Sequence, residues 1–167
     1  AEYEIANFKV PEVEFESKDK SSSKSSSEKK QTTETIDFIE IAINRLQATF
    51  DKLKNKSEQT FRSMTSRIKS YAGAIEKSNE MLSLQQQALS AYTQRRNSIG
   101  LDEYWAKQVR DGSINIADIT DDTLSSQIKS YQQWNNKIIE CRNAISDIKD
   151  TQRELVQDSI ELVITKY

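Results

Sequence analysis

RRNSIGLDEYWAKQVRDGSINIADITDD, residues 95–122, decides how this chain folds, because it holds two of the chain's three glycines between two long helical patterns. Asn97-Ser98-Ile99-Gly100 reads as a helix stop, and Arg95-Arg96 suits the negative end of the helix before it. Asp102 and Glu103 open a short helix, about Leu101 to Arg110, which Asp111-Gly112 ends. Ser113-Ile114-Asn115-Ile116 alternates like a very short extended piece. Thr120-Asp121-Asp122 then caps a last helix that should run to roughly Ile164.

Outward from this connector, both flanks carry an apolar stripe with alternating three- and four-residue spacing. Upstream it comprises Phe61, Met64, Ile68, Tyr71, Ile75, Leu82, Leu89 and Tyr92. Downstream it comprises Leu124, Tyr131, Trp134, Ile138, Cys141, Ile145, Ile148, Leu155 and Leu162. Each helix thus offers one narrow seam to a partner. The predicted fold is all-α: a long antiparallel coiled-coil hairpin with a short connector helix, preceded by an extended or flexible N-terminal segment. Gly73 falls inside the first arm, where it costs up to ~1 kcal/mol that a long helix absorbs.

Further upstream, Thr32 or Thr33 can cap a helix starting near Glu34. Its seam, Ile36, Ile39, Ile43, Leu46, Phe50 and Leu53, is an unbroken heptad series that then fails at Ser57 and Thr60. The pattern resumes at Phe61, four residues late. That is either a stutter in one continuous helix or a hinge over 54–59, and the lack of Gly or Pro between Glu34 and Tyr71 favours continuity. The predicted layout is an extended segment and Ser/Lys-rich linker over 1–33, a first heptad helix over 34–60, and arm one over 61–97. The connector follows over 98–120 and arm two over 121–167. In the first segment Tyr3, Ile5, Phe8, Val10, Val13 and Phe15 alternate around the lone proline, Pro11, like an edge strand.

A last helix of ~43 residues is ~65 Å long and reaches back to about residue 55. Residues 34–54 then overhang, and the face of Ile36, Ile39, Ile43, Leu46, Phe50 and Leu53 becomes a candidate partner surface. It would take another copy, the remainder of a longer parent chain, or the last helix if the first bends back. The start without Met and the apolar ending Glu161-Leu162-Val163-Ile164 point to a segment of something longer.

Composition bounds the chemistry. Lys and Arg number 24 against 26 Asp and Glu, a net charge of -2, so no broad field addresses nucleic acid or an anionic membrane. Hydrophobic residues are 35% of the total, which suits long solvated helices. Histidine is absent and cysteine occurs once, which removes the commonest general base and any internal disulfide. No stretch reaches the ~18 apolar residues of a membrane span.

Residues 111–122 have oxygen ligands at loop positions one, three, five and twelve. Ile116 and Asp118 stand where a calcium loop needs Gly and an apolar residue, so the isoleucines read as a plug and the aspartates as caps. Trp105 and Trp134 are candidate anchors, with Trp134 in the seam and Trp105 packing the short helix over the end of the coil. Cys141, among seam isoleucines, reads as a small buried hydrophobe. The carboxylate pairs Asp102-Glu103 and Asp121-Asp122 read as caps. There is no catalytic, cofactor-binding or metal-ligating constellation, and the expectation is a non-enzymatic protein.

The pattern Asn97-Ser98-Ile99-Gly100-Leu101, Tyr104, Val109-Arg110-Asp111-Gly112-Ser113-Ile114-Asn115-Ile116, Ile119-Thr120-Asp121-Asp122, Leu124, Ile128, Tyr131-Gln132 and Trp134 is distinctive, since a generic coiled coil has no such connector. With it, Ile36 to about Leu155 resembles the helical region of tail tape-measure proteins of phages and prophages of Gram-positive bacteria. The resemblance implies a structural virion protein that sets tail length and assists genome delivery. It also implies tail-tube and tail-chaperone partners, a place in the virion tail, and the host cytoplasm during assembly. The alternative is a cellular coiled-coil adaptor docking a partner on residues 34–60. An enzyme or toxin module with the hairpin as its stalk is disfavoured by the missing histidine.

Overall fold

The computed structural model describes residues 26–166, with side-chain environments for 34–165. Four α-helices and one 3-10 turn make up these residues: α1, Ser26–Glu58; α2, Met64–Asn97; α3, Glu103–Asp111; a turn at Ile116–Asp118; and α4, Asp122–Lys166. No strand occurs among the described residues. The extended reading of residues 3–15 lies outside them.

The first helix begins at Ser26, eight residues before the expected start near Glu34, so Thr32 and Thr33 lie inside it. Ser26–Thr33 contains no Gly or Pro, and Lys29, Lys30 and Gln31 are good helix formers. A solvated Ser/Lys composition is compatible with the end of a long helix as well as with a linker.

The main correction is at residues 59–63. The helix does not continue through the heptad break, because the chain reverses there and α1 lies along α2. The reversal uses neither Gly nor Pro. Ser57 donates its hydroxyl to the Lys54 carbonyl at 2.6 Å. Its own carbonyl, left open at the helix end, accepts from Arg67 Nε at 2.9 Å. Ser63 caps α2 by accepting from the Ser66 backbone N–H at 3.1 Å. Ser57 is fully buried, so the position where the seam loses its large residue is a close approach between helices.

Higher up the pair, a Cβ on Gly73 would stand 3.2 Å from Leu53 Cδ1. The glycine leaves bare backbone where Leu53 of α1 packs on α2, a role that heptad spacing alone does not reveal. Further still, Tyr92 donates to Glu40 at 2.6 Å. Partner numbers fall along α1 as they rise along α2.

Between α2 and α4 the order is likewise opposed. Arg96 Nη1 donates to Asn135 at 2.7 Å, Cys141 Sγ to the Gln85 carbonyl at 3.0 Å, and Gln152 Nε2 to Asn79 at 2.7 Å. At ~67 Å, α4 extends to the 59–63 turn, where Leu162 is buried in the same cluster as Phe50 and Tyr71. Lys137 Nζ meets Glu40 at 3.5 Å, tying α4 to α1 directly. Thus α2 is the middle helix, with α1 and α4 packed on it.

Three apolar clusters follow one another along this body. At the turn end Phe50, Tyr71, Ala74, Ile75, Met81, Leu155 and Leu162 pack together. In the middle, Ile36 and Ile39 meet Leu84, Ala88, Tyr92, Ile138 and Cys141 from the other two helices. At the connector end Ala106, Val109, Ile128 and Tyr131 are buried under the connector isoleucines. Gly112, at φ 77°, ends α3 in the left-handed conformation. Asp102 and Asp121 accept from the Tyr104 and Leu124 N–H groups, which start α3 and α4. A 3-10 turn at Ile116–Asp118, capped by Asn115, takes only the last residue of the extended piece expected over 113–116, and Asn115 itself is extended, with φ -124° and ψ 101°.

Candidate interaction surfaces

The predicted seam residues do not share one fate. Tyr71, Ile75, Tyr92, Tyr131, Ile138, Cys141, Leu155 and Leu162 are buried. Met64, Ile68, Leu89, Leu124, Trp134, Ile145 and Ile148 are half-buried against the clusters, and Leu82 is half-buried at the edge of a groove. Phe61 is a correction: it is 80% exposed at the tip of the turn, with the Arg62 guanidinium 5.6 Å from its ring centre. It lies in the reversal, so its heptad phase has no helix to act through.

The proposed partner face is likewise corrected. Ile36, Ile39 and Phe50 are buried within the chain, and Ile43, Leu46 and Leu53 are half-buried beside them. With α1 folded back, the overhang vanishes and α2 occupies the surface an outside partner would need.

Polar side chains pin the three helices to one another. The Tyr92 hydroxyl and the Lys137 ammonium share the Glu40 carboxylate, and Lys137 also lies 5.4 Å from the Tyr92 ring centre. Burial, and then the bond to Glu40, raise the Tyr92 phenol well above its ordinary value. Trp134 stacks at a tilt on Tyr92, centroids 5.9 Å apart, beneath the Arg95 guanidinium at 5.0 Å. Arg110 donates to the Tyr131 hydroxyl at 2.8 Å and pairs with Glu103. Trp105 makes an edge contact with Tyr104 and packs into the connector cluster. These cations and aromatics hold structure together; they do not converge on a cavity.

The chain's one thiol is equally committed. Cys141 faces the backbone carbonyl and the side-chain oxygen of Gln85, and burial pushes its thiol up to about 11. A thiol so placed is a poor nucleophile at neutral pH. Among the described residues no three His, Cys, Asp or Glu side chains stand close enough to share a metal ion, and no helix is long and apolar enough to cross a membrane. In the 111–122 segment, Asp111 is taken by Lys107, Asp118 by Asn115, and Asp121 by its cap.

Among the described residues two concavities stand out. A groove of about 870 Å³ runs between α2 and α4, with Ile75, Leu82, Val156 and Ile160 among its apolar lining and Lys149, Arg153 and Glu161 at its rim. A smaller one of about 420 Å³ lies at the turn end, bordered by Leu53, Lys56, Arg62 and Lys69. Beside the larger groove, Val156, Ile160, Val163 and Ile164 on α4 stay exposed. Their only trace in the sequence is the apolar ending after Glu161, together with Val156 and Ile160 falling off the main seam.

No protein-family model, curated protein or solved structure matches the chain.

Proposed function

We propose that this chain is a non-catalytic helical segment of a phage tail tape-measure protein. It contributes to tail assembly and genome delivery, and its heptad seams pack as antiparallel coiled-coil pairs. Its place is the virion tail after assembly in the host cytoplasm, and its partners are the tail tube and tail chaperones. The observation that carries the reading is the connector. Nine of the residues on which the resemblance rests (Ile99, Leu101, Val109, Ile114, Ile116, Ile119, Leu124, Ile128 and Tyr131) fall in one cluster with α3. They form a single structural unit, so their pattern is not a scatter of coincidences along a repetitive helix. The buried thiol and the interlocked charged side chains further favour a scaffold over a catalyst. The face on which the adaptor reading would dock a partner is turned inward, with Ile36, Ile39 and Phe50 buried within the chain, which counts against that reading.

The folded body spans ~67 Å along α4, whereas the same 34–165 stretch as one continuous helix would span ~200 Å. Tail length therefore reads out both role and state. In a phage whose parent gene lacks residues 34–165 in frame, electron microscopy should show tails shorter by ~200 Å if the segment is extended in the tube, or by ~70 Å if the bundle persists. Tails of normal length with failed infection would assign the segment to delivery. Phage particles indifferent to the deletion in both respects would overturn the proposal.

A further inference from the structure

The last turns of α4 are apolar on two faces. Leu155 and Leu162 are buried against the other helices, 2% and 7% exposed. On another face of the same turns Val156, Ile160, Val163 and Ile164 are 40%, 51%, 39% and 68% exposed. Val156, Ile160 and Val163 follow the four-then-three spacing of a helix-packing seam. Solvent-facing residues of a helix in a body already packed on its other side have no reason to keep that spacing, and a contiguous apolar stripe bordering a groove marks an interaction site.

The charges along the stripe say what fits it. Lys149 and Arg153 line its N-terminal half and Glu161 its C-terminal half, with Gln157 midway between Arg153 and Glu161. We infer that the stripe binds a second copy of this chain, with two α4 helices crossing antiparallel about a two-fold axis at Gln157, so that Arg153 of each lies beside Glu161 of the other. A parallel pair would set Arg153 against Arg153 and Glu161 against Glu161, which repels at both ends. In the antiparallel register Val156 and Ile160 of both copies meet around the axis. Val163 and Ile164 then fall on the aliphatic stems of Lys149 and Arg153, whose charged heads stay in water. The groove floor at Ile75 and Leu82 receives the partner's Ile160. Each surface is used twice, as an isologous interface requires. The inference does not rest on the tape-measure reading, because a tail protein and a cellular adaptor would pair the same way.

The test uses the 167-residue chain in sedimentation velocity and light scattering over a range of concentrations. The expected result is a monomer–dimer equilibrium. Ile160→Asp, at an exposed position, should leave helicity and the Tm of the dilute monomer unchanged while abolishing the dimer. Arg153→Glu should weaken association about tenfold or more, and Arg153→Glu combined with Glu161→Arg should restore it. Mild oxidation of Gln157→Cys should give a covalent dimer. Lys149→Cys should not, because its two copies would lie ~24 Å apart along the axis. The inference is overturned by a chain that stays monomeric at about millimolar concentration. A trimer, a dimer indifferent to Ile160→Asp, or cross-linking at Lys149→Cys as readily as at Gln157→Cys would also overturn it.

Discussion

The chain reverses direction twice, and the two reversals are built from different materials. Between α2 and α4 it uses the whole connector: Gly100 and Gly112 in the left-handed region, side-chain caps on both following helices, and an apolar cluster of its own. Between α1 and α2 it uses residues 59–63 and no glycine. That turn carries one side-chain cap, Ser63, and is otherwise held by groups outside it, Arg67 on the Ser57 carbonyl and Leu53 against Gly73. The connector is specified locally and could be punctuated by no other reading. The short turn exists because two seams find each other, and of its own residues Ser63 supplies a cap and Arg62 bonds Gln59, while exposed Thr60 and Phe61 are merely permissive.

The largest effects should come from the clusters that flank the two reversals. Phe50→Ala, in the cluster near the short turn, should lower stability by about 3–5 kcal/mol in urea unfolding, since a large side chain is removed from a buried site. Ile128→Ala, fully buried at the connector end, should cost about 2–5 kcal/mol. The comparison is sharpened by hydrogen exchange. Phe50→Ala should loosen α1 against α2 and leave α3 protected, whereas Ile128→Ala should release α3. Uniform loss of protection in both variants would mean that the two ends are a single cooperative unit and that the distinction between reversals has no energetic content.

Next in size come the backbone devices. Gly112→Ala places a Cβ in the left-handed region with nothing within 4 Å to clash, so its cost is purely conformational, about 1–2 kcal/mol. Ser63→Ala, the cap of the short turn, should cost about 1 kcal/mol. Thr60→Gly, by contrast, should stay within about 0.5 kcal/mol, as at an exposed position away from any special feature. Thermal unfolding of the three side by side ranks them. If Thr60→Gly proved as costly as Gly112→Ala, the short turn would carry a local requirement that its contacts do not show.

The same contrast explains what was legible in the sequence. The connector could be read because glycine, aspartate and asparagine announce their conformations within a few residues. The reversal at 59–63 left a trace, the heptad break at Ser57 and Thr60, but a phase break is common to a stutter and a hairpin. What separates them is the meeting of Arg67 with Ser57 and of Leu53 with Gly73, which no local pattern encodes. The start of α1 at Ser26 was hidden for a different reason, since serine and lysine runs are compatible with both helix and linker. The polar ties were out of reach altogether: Glu40 and Tyr92 lie 52 residues apart, and nothing in either neighbourhood selects the other. The exposed stripe of α4 was half legible, because the apolar ending could be seen but not which of its residues the other helices would cover.

Gly73→Ala asks the finest question of the two reversals, because opposing terms nearly cancel there. Within α2, alanine is a better helix former than glycine by roughly 0.8–1 kcal/mol. Against this, the new Cβ would lie 3.2 Å from Leu53 Cδ1, closer than comfortable packing, although the end of a leucine side chain can rotate or shift a few tenths of an ångström. The expected net change is within about 0.5 kcal/mol of zero, the smallest of the series. Its sign is informative when measured together with Leu53→Ala. If the pair is independent, Gly73→Ala is stabilising in both backgrounds, and the close approach of α1 is incidental. If Gly73→Ala is neutral in the parent but stabilising by about 1 kcal/mol once Leu53 is trimmed, the two residues are coupled through that contact. The second result is the one the geometry favours, and it would show the short reversal being set six and ten residues away from the turn, in the fit of one side chain over one bare backbone position.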